Sequence, residues 1–196
     1  VIDNRRRREP DDAEARRTAD DLMRSDFFSK LLVDAKGAPL VRPEQLAGLA
    51  AAIRRIRFTR GETVFRQGEP GESCYVVVRG AARGRVEYKD AARAHEFDIG
   101  PGALFGEMSL VTGLPRTATI LAGEEIELLE ISRDAFARLL GMRDDIPQIL
   151  AGLVAERAEQ NRSMLEKLQA MESADVGERI KSASILTRFL RMLGRR

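Results

Sequence analysis

The sequence predicts an α+β fold in which a β-sandwich or barrel lies between helical segments. Residues 54–132 contain several short runs rich in β-branched and aromatic side chains, separated by glycine turns at near-regular spacing. The segments before and after this stretch instead show the three-to-four-residue apolar spacing of amphipathic helices. With 196 residues, the chain is long enough to bury one hydrophobic core.

The N-terminal segment is predicted to contain two helices after a charged start. Residues 1–25 are dense in charge and are interpreted as a solvated linker or helix start. A basic patch that contacts a membrane or a partner is the alternative for this segment. The apolar spacing over 12–32 predicts a first helix. Pro43 suits the first turn of a second helix, because proline lacks only an N–H that would be unpaired there.

The predicted strands are apolar or alternating runs that end at glycine or proline turns. Their number and short length indicate a sandwich or barrel. The strands are predicted over 56–59, 63–66, 74–78, 85–88, 97–99, 117–121 and 126–131.

The C-terminal segment is predicted to be helical again. Ser132 is expected to cap a short helix, and a longer helix is expected over Asp144–Met171. The apolar stripe of the longer helix becomes polar around Arg157. That stretch either extends past the domain edge into water or meets a polar ligand, because unpaired polar groups are costly to bury. Residues 173–196 are predicted to form a basic amphipathic tail.

The composition excludes several classes of function. The chain has 33 basic and 31 acidic side chains, a net charge of +2, which is too balanced for a dedicated nucleic-acid binder. Cys74 and His95 are single residues of their types. They exclude an internal disulfide, cysteine zinc sites and multi-histidine metal centres, and they argue against Ser-His or Cys-His catalysis. No apolar run of about 18 residues occurs, so this stretch contains no membrane span.

The stretch 105–119 has the chemistry of a sugar-phosphate site. Gly106 allows close approach of the backbone to a ligand, and a predicted helical turn over 107–111 would point its first amides at an anion. Arg116 offers a planar donor fork that matches a phosphate. Glu107, when ionised, accepts from hydroxyl groups. The alternative is that Glu107 and Arg116 form an ion pair that braces a loop.

Two short motifs in this stretch resemble a known binding element. Phe105-Gly106-Glu107 and Pro115-Arg116-Thr117-Ala118-Thr119 are similar to the phosphate-binding cassette of cyclic nucleotide-binding domains, of the catabolite-activator and cyclic nucleotide-gated channel type. The resemblance covers about residues 28–170. Upstream matches to the same pattern are Gly61-Glu62, Gln67-Gly68-Glu69, Gly71-Glu72, Tyr75-Val76-Val77, Gly80 and Gly100-Pro101-Gly102.

The resemblance implies a fold and a domain plan. The fold would be a double-stranded β-helix, a jelly-roll-like β-roll, flanked by N-terminal and C-terminal helices. The binding domain would span 26–172, with the β-roll at 54–132 and hinge and lid helices at 133–172. Residues 1–25 and 173–196 would lie outside it as linker and tail.

The resemblance also implies roles for individual residues. Arg116 would hold the exocyclic phosphate oxygens, and Glu107 would accept from the ribose 2′-hydroxyl. Thr117 would lie near the phosphate and, in a syn conformer, near a guanine amino group. Arg157 would lie over the base. The ligand-binding set so implied is Gly106, Glu107, Met108, Ser109, Arg116, Thr117, Ala118 and Arg157, with amides of Gly106, Ser109 and Ala118 lining the phosphate.

The function expected from the resemblance is a switch and not a reaction. The chain would be a sensor of cAMP, cGMP or both, with no cofactor, and ligand binding would shift helix positions. We expect it to be the C-terminal regulatory domain of a bacterial channel similar to the small-conductance mechanosensitive family. An attached transmembrane domain, a homo-oligomer and a position on the cytoplasmic side of the inner membrane follow from that reading. Because the chain opens on Val1 and not on methionine, we expect more protein before it.

Other contexts remain alternatives. The chain would then be a stand-alone or enzyme-linked sensor, or a truncated regulator of the catabolite-activator type. About twenty-five residues follow Met171, which is too few for a helix-turn-helix domain, so we expect no nucleic-acid partner. A cupin-type metal enzyme on a similar roll would need clustered histidines. A degenerate, ligand-free fold would not need Glu107 and Arg116.

Overall fold

Two four-stranded antiparallel sheets form the centre of the molecule. The computed structural model describes residues 12–87 and 94–149, together with 151, 152, 155 and 159. The strands are β1 (Arg54–Phe58), β2 (Thr63–Phe65), β3 (Ser73–Arg79), β4 (Ala82–Glu87), β5 (Ala94–Ile99), β6 (Leu104–Phe105), β7 (Thr119–Ala122) and β8 (Ile126–Ser132). The strand orders are β1-β8-β3-β6 and β2-β7-β4-β5.

Helices flank the two sheets on the N-terminal and C-terminal sides. This arrangement confirms the predicted α+β fold with a jelly-roll-like β-roll. The helices are α1 (Asp12–Arg24), α2 (Ser29–Leu32), α3 (Pro43–Ala51), α4 (Glu107–Thr112) and α5 (Arg133–Leu140), and residues 146–149 are also helical. None of the helices in the described ranges combines the length and the apolar character that a membrane crossing needs.

The inner cluster of apolar side chains, which we call the roll core, fills the space between the two sheets. It includes Phe65, Tyr75, Phe105, Ile120 and Leu128. The aromatic members contact one another: the Tyr75 and Phe105 rings stack with centroids 5.3 Å apart. The roll core therefore contains a packed group of three aromatic rings, those of Phe65, Tyr75 and Phe105.

The outer cluster, the helix-side core, lies between the first sheet and the helices. It includes Leu22, Phe28, Leu49, Leu129 and Phe136. Strand β3 is buried at five successive residues from Ser73 to Val77. A strand covered on both faces loses the alternation of polar and apolar residues, which explains the continuous apolar run in its sequence.

The predicted helix over 12–32 is wrong in one respect, because the chain turns between α1 and α2. The Ser25 hydroxyl donates to Leu22 O at 2.8 Å and accepts from Phe28 N at 3.2 Å, which ends α1. The Asp26 amide donates to Gly102 O at 3.0 Å in the β-roll. A contact across 76 positions of chain (102 − 26) overrides the local helical pattern.

Two predicted helix starts are confirmed. Pro43 is the first residue of α3, and the Arg42 amide donates to Gln45 Oε1 at 3.1 Å. Ser132 caps α5, and its Oγ accepts from Ala135 N at 3.2 Å. Both starts have a local cause, so the sequence alone locates them.

Strand boundaries differ from the predictions in several places. Strand β6 was not predicted, because two residues are too short for a pattern. Strand β7 begins at Thr119 and not at Thr117, since Arg116 and Thr117 belong to the loop. Residues 1–11, most of the predicted lid helix and the tail 173–196 lie outside the described residues. The predicted domain boundaries remain predictions.

Arg55 joins α1 to the β-roll. Its Nη2 donates to Asp21 Oδ2 at 2.6 Å and its Nη1 to Glu127 Oε1 at 3.0 Å. The two carboxylates lie on α1 and on β8, so one guanidinium connects the N-terminal helix with the central strand of the first sheet. These three partly buried side chains form the α1 tie.

Candidate functional site

The loop 66–71, helix α4 and the segment 116–118 meet at one end of the β-roll. The Arg116 amide donates to Glu69 O at 2.8 Å, and the Gly68 amide donates to Arg116 O at 2.9 Å. The Gln67 amide also donates to Thr119 Oγ1 at 3.1 Å. These bonds hold the backbone on both sides of Arg116, so its side chain starts from a fixed position.

The Arg116 guanidinium is buried beside the roll core. Arg116 is only 4% exposed, and its Cζ lies 4.1 Å from the centroid of the Phe65 ring. At this distance, the cation is attracted to the face of the ring. Nη1 donates to Gly106 O at 2.7 Å and Nη2 to Ser73 Oγ at 3.5 Å. The sequence singled out this arginine as a charge at the start of a strand, and the structure places it in the interior.

The surroundings of Arg116 leave it suited to an anion. Gly106 O and Ser73 Oγ are neutral acceptors, and the buried Nε has no hydrogen-bond partner among the residues that the structure describes. Burial lowers the pKa of Arg116, and nearby groups that include Glu69 and Glu107 oppose this shift. A phosphate would add both negative charge and oxygen acceptors to this buried cation.

Two glycines leave the space that the guanidinium occupies. A Cβ on Gly71 would lie 2.3 Å from Ser109 Cβ and 3.0 Å from Arg116 Cζ. A Cβ on Gly106 would lie 2.7 Å from Arg116 Nη1, and the Gly106 φ of +77° disfavours L side chains as well. The backbone at both positions therefore passes directly against the side chain that would hold a ligand.

Helix α4 forms the other side of the site. It confirms the helical turn predicted over 107–111 and extends it to Thr112. Left-handed glycines bound it at both ends, Gly106 and Gly113, the latter with φ of +69°. Arg133 at the start of α5 donates from Nη1 to Leu110 O at 3.4 Å. The site thus contacts the first helix that follows the β-roll.

The structure brings most of the predicted site residues together. Glu107 is 4% exposed and Ser109 is 3% exposed, both on α4, and Ala118 belongs to the roll core. Met108 packs against the helix-side core, so its side chain is a packing group. Thr117 is exposed at the surface. Arg157 lies outside the described residues, and the binding roles of the whole set remain predictions.

Sequence reasoning missed the residues that support Arg116 from behind. Phe65 was predicted only as part of a strand, and Ser73 was not predicted to have any role. Gly71 was noted only as part of the pattern match Gly71-Glu72. The pattern around them carries no signal for these roles, because each contact joins segments that are distant in sequence. Within the described residues, no group of three or more His, Cys, Asp or Glu side chains could hold a metal ion.

A family comparison and two curated relatives agree with this geometry. The model of the cyclic nucleotide-binding domain family matches residues 55–142. The CRP-like cAMP-activated global transcriptional regulator of Mycobacterium tuberculosis is 29% identical over 65% of this chain and 57% of its own length. A cyclic nucleotide-gated potassium channel of Mesorhizobium japonicum is 32% identical over 59% of this chain and 30% of its own length. The chain thus spans little more than half of the first relative and less than a third of the second.

A solved structure extends the comparison to a different class of protein. The cAMP-binding acyltransferase of Mycobacterium smegmatis, in a substituted form, is 28% identical, with a TM-score of 0.53. The match covers 74% of this chain and 43% of the acyltransferase. By their names, the two sequence relatives are a regulator and a gated channel, whereas this structural relative is an enzyme that binds cAMP.

Proposed function

We propose that this chain, whose residues 55–142 match the model of the cyclic nucleotide-binding domain family, is a sensor for cAMP, cGMP or both. The observation that carries the proposal is the burial and hydrogen bonding of the Arg116 guanidinium. Arg116 is 4% exposed, its Nη atoms donate to the neutral acceptors Gly106 O and Ser73 Oγ, and its Nε has no partner in the described part of the chain. A buried cation of this kind suits the cyclic phosphate.

In this proposal, each side of the site recognises one part of the ligand. Arg116 binds the exocyclic phosphate oxygens, with the amides of Gly106, Ser109 and Ala118 around them. Glu107 accepts from the ribose 2′-hydroxyl. Thr117 is exposed, which leaves its hydroxyl accessible to either purine. We infer that the nucleotide is a ligand and that the chain itself is not an enzyme.

The response to the ligand is a shift of helices. A ligand that moves α4 would also act on α5, because Arg133 Nη1 at the start of α5 contacts Leu110 O on α4. Arg133 Nε also contacts Glu72 Oε2 at 2.8 Å. Residues 146–149 are helical and belong to the segment predicted as the lid helix, on which Arg157 was also predicted. Two arrangements of the helices are proposed, one favoured without ligand and one favoured with it. The free energy that can drive the shift is the difference in ligand binding free energy between these two arrangements.

We place the sensor in a bacterial channel, on the cytoplasmic side of the inner membrane, as part of a homo-oligomer. The relative from Mesorhizobium japonicum supports the channel context. The regulator from Mycobacterium tuberculosis supports a transcription regulator as the second candidate, and the acyltransferase supports an enzyme-linked sensor. The gene upstream of Val1 decides between them: hydrophobic spans support the channel, and an acyltransferase or no further domain contradicts it.

Calorimetric titration with cAMP and with cGMP tests the sensor itself. We expect micromolar or tighter binding of at least one nucleotide by the unaltered chain. Arg116→Ala removes the phosphate partner and should weaken binding by about 2–5 kcal/mol, or roughly 30-fold and more. Arg83→Ala removes a half-exposed guanidinium from the second sheet and should leave affinity unchanged.

Each result has a definite meaning. Binding that is lost in Arg116→Ala and kept in Arg83→Ala supports the sensor. An unaltered chain that gives neither heat nor a thermal shift with either nucleotide contradicts it. Unchanged affinity in Arg116→Ala contradicts the assignment of the phosphate to this residue. The ratio of the two affinities identifies the preferred nucleotide.

A further inference from the structure

We propose that Ser73, Tyr75 and Glu130 position the guanidinium of Arg116 for the phosphate, through a chain of hydrogen bonds that runs behind the site. We call these three residues the relay. The proposal rests on the function proposed above and extends it to residues that do not touch the ligand. Ser73 and Tyr75 lie on β3 and Glu130 on β8, which are neighbouring strands of the first sheet.

The relay is continuous in the structure. Arg116 Nη2 donates to Ser73 Oγ at 3.5 Å, Ser73 Oγ donates to Tyr75 Oη at 2.8 Å, and Tyr75 Oη donates to Glu130 Oε1 at 3.4 Å. Ser73 is 9% exposed and Tyr75 is 7% exposed. The Glu130 side chain is 13% exposed and forms an ion pair with Arg54 at the surface. The relay therefore extends from the buried cation to a carboxylate near solvent.

The chemistry of its two ends fixes the direction of the relay. A guanidinium has only donors, and an ionised carboxylate has only acceptors. The two hydroxyl groups between them can satisfy both ends only if every O–H points away from Arg116 and towards Glu130. Burial raises the pKa of the Tyr75 hydroxyl, so it keeps its proton at neutral pH and can donate.

This direction has an electrostatic consequence for Arg116. Each hydroxyl presents its oxygen to the group on the Arg116 side, so the aligned dipoles place negative charge next to the buried cation. Hydrogen bonds in series also polarise one another in a low-dielectric interior. The relay stabilises the orientation of one Nη while Gly106 O holds the other, and the plane of the fork is then set before a phosphate arrives.

The tyrosine ring is fixed independently of its hydroxyl. It stacks on Phe105 with centroids 5.3 Å apart and lies 5.8 Å from the Phe65 centroid. Tyr75→Phe therefore removes the hydroxyl and keeps the packing. Ser73→Ala likewise removes one hydroxyl with little change in volume.

The first test is a double-mutant cycle on nucleotide affinity, measured by calorimetry. Ser73→Ala and Tyr75→Phe should each weaken binding by about 3- to 10-fold, the range for the net contribution of one neutral hydrogen bond. Because the relay is a series, the double variant should bind no more weakly than the weaker single variant. Losses that multiply in the double variant would overturn the relay.

The second test compares two glutamates on β8. Glu130→Gln keeps the shape and removes the charge at the end of the relay, and about a 3-fold loss of affinity is expected. Glu127→Gln is the matched control, because Glu127 has a similarly buried side chain, at 16% exposure, and pairs with Arg55 and Arg57. Equal affinity of the two variants would overturn the role of Glu130. If Glu130→Gln does not fold, Tyr75→Phe alone decides.

A spectroscopic measurement separates positioning from general weakening. The 15N resonance of Arg116 Nε, assigned by its absence in Arg116→Lys, should move in Tyr75→Phe without ligand and stay in place in Glu127→Gln.

Failure of the relay and failure of the sensor are distinguishable. If the unaltered chain binds and Arg116→Ala does not, the sensor stands, and unchanged affinity in Tyr75→Phe then overturns the relay alone.

Discussion

At the scale of single residues, the packing of the site requires the absence of a side chain at Gly71. The absent Cβ leaves space for Ser109 and for the Arg116 guanidinium. Ser109 is part of α4, and the guanidinium donates to Gly106 O and Ser73 Oγ, so displacement of either group would cost free energy. Gly71 therefore permits the close packing of Ser109 and Arg116 in the site.

Gly71→Ala is predicted to destabilise the protein and to weaken nucleotide binding together. The added methyl group should lower the free energy of unfolding by about 1–3 kcal/mol, the usual effect of overpacking. Gly48→Ala is the matched control, since Gly48 lies in α3 with no atom within 4 Å of its Cβ position. That change should raise stability by up to about 1 kcal/mol. Chemical denaturation measures the free energy of unfolding of both variants. An unchanged free energy of unfolding in Gly71→Ala would contradict the described packing.

At the scale of elements, the α1 tie determines how firmly the N-terminal helix is held. Asp21→Asn removes the charge that Arg55 meets on α1, and both side chains are partly buried, at 24% and 15% exposure. We expect the free energy of unfolding to fall by about 1–2 kcal/mol. The exposed neighbour Asp20 provides the control Asp20→Asn.

The α1 tie includes none of the residues of the candidate site, so Asp21→Asn should leave nucleotide affinity unchanged. Urea denaturation and calorimetry on the same two variants check both statements. Equal stability of Asp21→Asn and Asp20→Asn would mean that Arg55 does not hold α1 to the β-roll.

The elements also show what the sequence can and cannot predict. Strands between glycine turns and helix starts at Pro43 and Ser132 were predicted correctly, because their causes are local. The break after α1 and the two-residue strand β6 were not, since both depend on contacts with distant segments. The candidate site divides in the same way. Arg116 and Gly106 stand in a recognisable motif, whereas the contacts of Gly71 and Ser73 with Arg116 exist only in the folded chain.

At the scale of the whole molecule, strand β8 separates two cores. Leu128 belongs to the roll core and Leu129 to the helix-side core, and both are fully buried. Adjacent residues of a strand point to opposite faces, so one step along the chain changes which half of the molecule a side chain supports.

Leu128→Ala and Leu129→Ala should each lower the free energy of unfolding by about 2–5 kcal/mol. Only Leu128→Ala should also weaken nucleotide binding, because the roll core supports Phe65 and, through it, Arg116. Calorimetry on the two variants makes the comparison, below the temperature at which either unfolds. A larger affinity loss in Leu129→Ala would mean that the roll core is not the support of the site.

The paired backbone bonds that link Arg116 with Gly68 and Glu69 have a kinetic consequence. These bonds form when the chain folds, so the proposed phosphate-binding segment has its backbone conformation before any ligand binds. The Arg116 and Gly68 amides should then exchange with solvent deuterium only when the whole β-roll opens, even in the absence of nucleotide. In the proposed switch, nucleotide binding acts on the helices, so slowed exchange on binding is expected in α5 and at residues 146–149, and not at the amides of Arg116 and Gly68.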